Sequence, residues 1–309
     1  MSLAVQVLFT GLSAGAVYGL VAIGHSLIYR LTGIVYFALG DLIGLGAFIT
    51  LFVAAGTAPL TSETVSGGRM GLAIVVGVTA CVAAGGAGYF AVVQPYIGLR
   101  SAIGWVAATL ALGFAIRAVL DAAFSRSAYV FPDPIPFHRL GNDGLVKILG
   151  AQIHVRAFAV LGVAVVVAAA ASWILQRTWF GRSLRAIADD PEAAALAGVA
   201  VERTRALAFG LAGGMAAIAV VVAAPGAPFE TGSGELLGLK GLVAAVIVRF
   251  GGLWSAFAAG LGIGVLEAAL GTGLLGHFQA SADYRELVPI ALAILLLAAR
   301  PLRSREAVE

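Results

Sequence analysis

LAVQVLFTGLSAGAVYGLVAIGHSLIY, residues 3–29, contains no Asp, Glu, Lys or Arg. About 20 consecutive apolar residues cross a hydrocarbon layer about 30 Å thick, so this stretch predicts a transmembrane helix. No basic segment precedes it, and the apolar run extends to Tyr29, so it reads as a first crossing rather than a cleaved leader. Comparable stretches recur at 34–56, 70–93, 101–123, 157–176, 206–225, 236–249, 252–272 and 287–299. The 236–249 segment is short, because at 1.5 Å per residue it covers only about 21 Å. It must tilt, stop part-way, or be a broken helix shielded by its neighbours.

Composition agrees with the local reading. Of 309 residues, 61% are hydrophobic and 11% charged, where ordinary soluble domains have roughly 45–50% and 25%. A water-soluble fold has no place to hide that excess. The predicted fold class is therefore all-α, a polytopic integral membrane protein of about eight to nine transmembrane helices forming one domain over 1–309. A disulfide scaffold is excluded by the single Cys81, and a net charge of +3 gives no reason to expect nucleic acid.

Basic residues set the orientation. Arg30, Arg100, Arg177, Arg182, Arg185, Arg203, Arg205, Arg249, Arg300, Arg303 and Arg305 fall on one side of the nine crossings. Arg69, Arg126, Arg139, Lys147, Arg156 and Arg285 fall on the other. The richer side is expected to be cytoplasmic, which places the N-terminus outside and the C-terminus inside. The outer loop 124–156, with Pro132, Pro134, Pro136 and the turn Gly141-Asn142-Asp143-Gly144, is expected to hold short extended pieces and turns.

Glycines at four-residue spacing mark helix faces where a second backbone can approach. They are Gly11, Gly15 and Gly19, then Gly40 and Gly44, Gly210 and Gly214, and Gly260 and Gly264. Charges within the crossings are few and are functional candidates by default. Arg117 and Asp121 stand four apart and are expected to pair. Asp41, Glu267 and Lys240 are the others, and each reads equally as a locally paired charge. His25 reads as a hydrogen-bonded helix residue.

The loop 177–205 carries the densest pattern. Phe180–Asp189 predicts a short helix. Asp190 then suits an N-cap, Pro191 the first helical position and Glu192 the positive end of the dipole. Ala193–Ala197 is a strong helix former, and Gly198 can end it in a left-handed conformation. This spacing fits both a plain connection and a surface on which another protein docks. No HExxH, CxxC, G-x-S-x-G or phosphate-binding G-x-x-x-x-G-K-[ST] motif occurs. The chain is thus expected to be no enzyme and to bind no cofactor, and any ATP and Mg must be handled by a partner subunit.

Residues 178–199, from Thr178-Trp179-Phe180-Gly181-Arg182 to Ala197-Gly198-Val199, resemble the cytoplasmic loop of branched-chain amino acid ABC importer permeases. Residues 205–213, residues 11–24, Gly251-Gly252-Leu253-Trp254-Ser255 and Arg300-Pro301 are also similar to that family, in the same order. The resemblance implies a permease subunit that translocates branched-chain or other small amino acids, or related amides, across the bacterial inner membrane. Its partners would be a second permease in a heterodimer, two cytoplasmic ATPases and a periplasmic binding protein. Coupling to the ATPase would fall to Arg182, Arg185, Asp189, Asp190, Pro191, Glu192, Ala194 and Gly198. Where the family has an Asn-Phe-Ala-His-Gly-Glu-like run, this chain has Tyr36-Phe37-Ala38-Leu39-Gly40-Asp41. Tyr36, Phe37, Leu39, Gly40 and Asp41 are therefore the expected translocation-pathway residues. The competing readings are a secondary transporter coupled to an ion through Asp41, Asp121 or Glu267, and a passive channel or structural subunit.

Overall fold

A computed structural model describes residues 2–56, 67–97, 102–124, 129–131, 145–148, 151–225, 228–272 and 291. Among the described residues, six helices are long and apolar enough to cross a bilayer: Leu3–Thr32, Gly67–Tyr96, Ile103–Ala123, Val155–Arg177, Val201–Ala223 and Leu253–Gly271. They belong to α1 (Ser2–Thr32), α3 (Gly67–Gly88, prolonged by a π-helical turn Tyr89–Val93 and a 3₁₀ turn Gln94–Tyr96), α4 (Ala102–Ala123), α5 (Val155–Arg177), α8 (Val201–Ala223) and α10 (Leu253–Gly271). Two shorter helices join them, the apolar α2 (Leu39–Ala55) and α9 (Ser233–Ile247), which carries Glu235 and Lys240. Eight of the nine expected crossings thus meet a helix. Of the ninth, 287–299, only Ala291 is described, and Arg300-Pro301 and the 141–144 turn lie outside the described residues.

The second segment departs from its expected bounds. It does not become helical at 34 but at Leu39. Gly33, at φ +69°, ends α1 in the left-handed region, and the Thr32 hydroxyl accepts a hydrogen bond from the Ile34 amide at 3.2 Å. Together they turn the chain, so residues 34–38 enter without helical structure. The 17 residues of α2 then span only about 26 Å. The 15 residues of α9 span about 22 Å, as short as its sequence indicated.

Glycine contacts set the helix pairings. A Cβ on Gly15 of α1 would lie 2.7 Å from the Gly260 carbonyl oxygen of α10, and Gly264 meets Gly11 and Gly15 at the backbone. Gly19 completes the stripe against Phe257. The second such contact joins the two short helices. Gly40 of α2 lies against Gly234 and Glu235, Gly234 lies against Gly44, and Gly238 meets the Gly40 Cα, so α2 and α9 run antiparallel. Gly210 and Gly214 of α8 face Val82 of α3.

Four short strands are described. β1 (Tyr129–Val130) pairs antiparallel with β4 (Pro228–Phe229), and β2 (Leu145–Ile148) with β3 (Ala151–His154), in a hairpin that leads into α5. β1, β2 and β3 are the extended pieces expected of the 124–156 segment, and β4 comes from the connection after α8. The rings of Phe124, Tyr129, Phe131 and Phe229 gather on Phe48, with centroids 4.7–6.2 Å away, and so anchor this layer to α2.

Candidate functional site

Two regions carry the chemistry: a polar centre among the helices and the helical pair after α5. In the first, Asp41 sits in the first turn of α2 and is buried. Gly113 of α4 makes room for it, since a Cβ there would collide with the Asp41 carboxylate. Arg117 Nη2 donates to Asp41 Oδ1 at 3.4 Å and also to Glu235 in the first turn of α9. The expected Arg117–Asp121 pair is therefore not the one formed. Asp121 is exposed, whereas α2 and α9 present carboxylates on the inward face of α4, where exchange of water for a partner favours a fixed ion pair. His25 of α1 completes the centre, facing the Gly238 carbonyl through Nε2 at 3.3 Å. A cavity of about 40 Å³ opens among His25, Phe37, Asp41, Phe114, Arg117 and Glu235.

The expected pathway residues divide here. Phe37 and Asp41 line the cavity, and Gly40 forms the contact with α9 beside it. Tyr36 and Leu39 do not line it. Tyr36 is 1% exposed and edge-on to Phe209 at 5.0 Å, and the Leu39 side chain packs on Gly24. The late start of α2 turns both into the core. Glu235 escaped the sequence reading because it fell just before the predicted 236–249 segment. A signal was present: Gly234-Glu235-Leu236-Leu237-Gly238-Leu239 repeats the pattern of Gly40-Asp41-Leu42-Ile43-Gly44-Leu45. Gly-acid-Leu-aliphatic-Gly-Leu thus opens both short helices.

Lys240 and Glu267 form a separate group. Lys240 Nζ donates to Glu267 Oε1 at 2.8 Å and to the Tyr18 hydroxyl at 3.3 Å, and that hydroxyl donates to Glu267 Oε2 at 3.0 Å. The group ties α9, α10 and α1 together. Asp41 and the partly buried Glu267, two of the three carboxylates considered for ion coupling, therefore each face a cation.

After α5, Thr178 caps α6 (Trp179–Asp189), its hydroxyl accepting from the Gly181 amide at 3.3 Å. Gly181 lies on the Leu175 backbone, too close for any side chain. Asp190 caps α7 (Pro191–Leu196), its Oδ1 accepting from the Glu192 and Ala193 amides at 2.9 and 3.0 Å. Gly198 ends the turn at φ +84°. The helical stretch begins again at Val201, so 201–205 belong to α8, and Arg205 is 6% exposed and paired with Glu202 at 3.4 Å. It is not a loop charge. Arg182 lies over the Trp179 ring at 4.7 Å and Arg185 donates to the Leu175 carbonyl, so both brace α6. Ala194 is 4% exposed, packed in a cluster with Leu184, Ile187 and Ala208, and is not a surface position. Asp189, Pro191 and Glu192 are exposed. Leu196, which the sequence reading passed over, is 91% exposed at the end of α7.

Comparison with known proteins covers the same span. The family model for the branched-chain amino acid transport system permease component matches residues 7–297. The high-affinity branched-chain amino acid transport system permease protein LivH of Salmonella typhimurium is 26% identical over 301 residues, 96% of this chain and 93% of the relative. LivH of Escherichia coli K12 is 27% identical over 297 residues, with coverage of 96% and 93%. BraD of Pseudomonas aeruginosa, of the same description, is 27% identical over 301 residues, with coverage of 96% and 94%. No solved structure matches the chain.

Proposed function

Because the chain belongs to the branched-chain amino acid transport permease family, a family of membrane transporters rather than enzymes, we propose that it is the membrane-spanning permease subunit of an ATP-driven importer of branched-chain or similar small amino acids. The observation that carries the reading is the family match across residues 7–297, which takes in both the polar centre and the helical pair. The relatives' names speak of high-affinity branched-chain amino acid transport.

In this reading the protein sits in a bacterial inner membrane with α6 and α7 on the cytoplasmic side and the N-terminus outside. It works beside a second permease, two ATPases that bind ATP and Mg, and a periplasmic binding protein. The ATPase grips α7, where Asp190 and Gly198 hold a rigid helical turn and Leu196 stands out as an apolar knob. Movement of α7 passes to α8 through Ala194 and Ala208, which share one packed cluster with Leu27 and Leu31 of α1. The pathway runs past Phe37, Gly40 and Asp41. Pairing of Glu267 with Lys240 removes one of the carboxylates that an ion-coupled carrier would need free to take up H⁺ or Na⁺.

The test is uptake of labelled leucine by proteoliposomes containing the whole complex. Uptake should require ATP inside and the binding protein outside, and survive dissipation of ion gradients by ionophores. Uptake that continues without ATP and stops with the gradient would establish the secondary transporter instead.

A further inference from the structure

The polar centre is over-supplied with acceptors. Two carboxylates, the buried Asp41 and the half-exposed Glu235, share one guanidinium, Arg117, so the group carries one more negative charge than positive. His25 Nε2 faces a carbonyl oxygen, so that nitrogen carries the proton and Nδ1 presents a lone pair. His25 is only 3% exposed, and its Nδ1 has no partner. The Arg117 Nε is likewise buried and unpartnered. Buried polar atoms without partners are rare and call for a ligand, ion or water. All four side chains border the same cavity.

We propose that this cavity is a transit site for the charged head of an amino acid. Asp41, Glu235 and His25 Nδ1 would receive its ammonium, and the unspent N–H of Arg117 its carboxylate. An ammonium offers only donors and a carboxylate only acceptors, which suits a cavity that sets acceptors beside a guanidinium with an unspent Nε–H. About 40 Å³ admits the head alone, since a single water needs at least about 10–15 Å³ on this measure. The aliphatic part is left beside Phe37, Leu110 and Phe114, where the cavity borders the exposed face of α4. The inference rests on the importer reading and adds the recognition chemistry within the membrane.

Leucine moved per ATP hydrolysed, measured in the reconstituted complex, tests it. Glu235→Gln keeps the Asp41–Arg117 pair but removes the excess negative charge, and the ratio should fall by about tenfold, the loss of one charge-assisted hydrogen bond. Glu235→Asp should restore most of it. An unchanged ratio in Glu235→Gln overturns the site, and so does a fall that Glu235→Asp fails to restore. ATP-independent uptake by the unaltered complex would count against the importer reading itself, before any variant is compared.

Discussion

At the residue scale, α7 depends on one carboxylate. The Asp190 side chain satisfies two amides at the start of a helix only six residues long. Asp190→Ala should cost about 1 kcal/mol of local helix stability. Amide exchange at Glu192 and Ala193 should accelerate in the purified permease, and unchanged protection there would show the cap to be dispensable. Ala194 and Leu196 should separate packing from docking. Ala194→Leu adds volume to a buried cluster and should destabilise by about 1–3 kcal/mol, read as a lower melting temperature. Leu196→Asp should leave melting unaltered and weaken co-purification of the ATPase; retention of the full ATPase complement would remove Leu196 from the interface. The cap, the proline and the glycine were legible in the sequence because each acts within a few residues. Burial of Ala194 was not, because it depends on α8 folding back onto α7.

At the element scale, the glycine stripes were legible as faces but their partners were not. Spacing puts Gly11, Gly15 and Gly19 on one side of α1, and only the fold shows that α10 supplies the matching stripe. Gly264→Leu would place a side chain where Gly11 and Gly15 already sit, so the two helices could not keep their contact. Loss of the monodisperse species in size-exclusion chromatography is the expected result, whereas Gly262→Leu, at a glycine with open space around it, should behave as the unaltered protein. The same limit explains Arg117. A rule for neighbours four apart on one helix nominates Asp121, yet the carboxylates that win come from two other helices. The start of α2 was hidden for a different reason. Apolar composition continues through 34–38 without a break, while Gly33 turns the chain, and with it the phase that decides which way Tyr36 and Leu39 face.

At the scale of the whole molecule, the Lys240–Glu267–Tyr18 group joins the first helix to two late ones. Lys240→Met would strand a partly buried carboxylate, with an expected loss of about 3–5 kcal/mol, and the double change with Glu267→Gln should recover most of it. Thermal melting of the detergent-solubilised chain checks both, and a double variant no more stable than the single would show that the charges are not coupled. Tyr18 and Glu267 stand 249 positions apart, and the glycine stripe of α1 waits for α10 over a similar distance. At a synthesis rate of about 5–20 residues per second, the first helix spends on the order of ten to fifty seconds in the bilayer before its mate leaves the ribosome. During that interval its glycine face is bare. A nascent chain arrested before α10 thus carries a visible sign of incompleteness, one that a membrane protease or insertion chaperone could read.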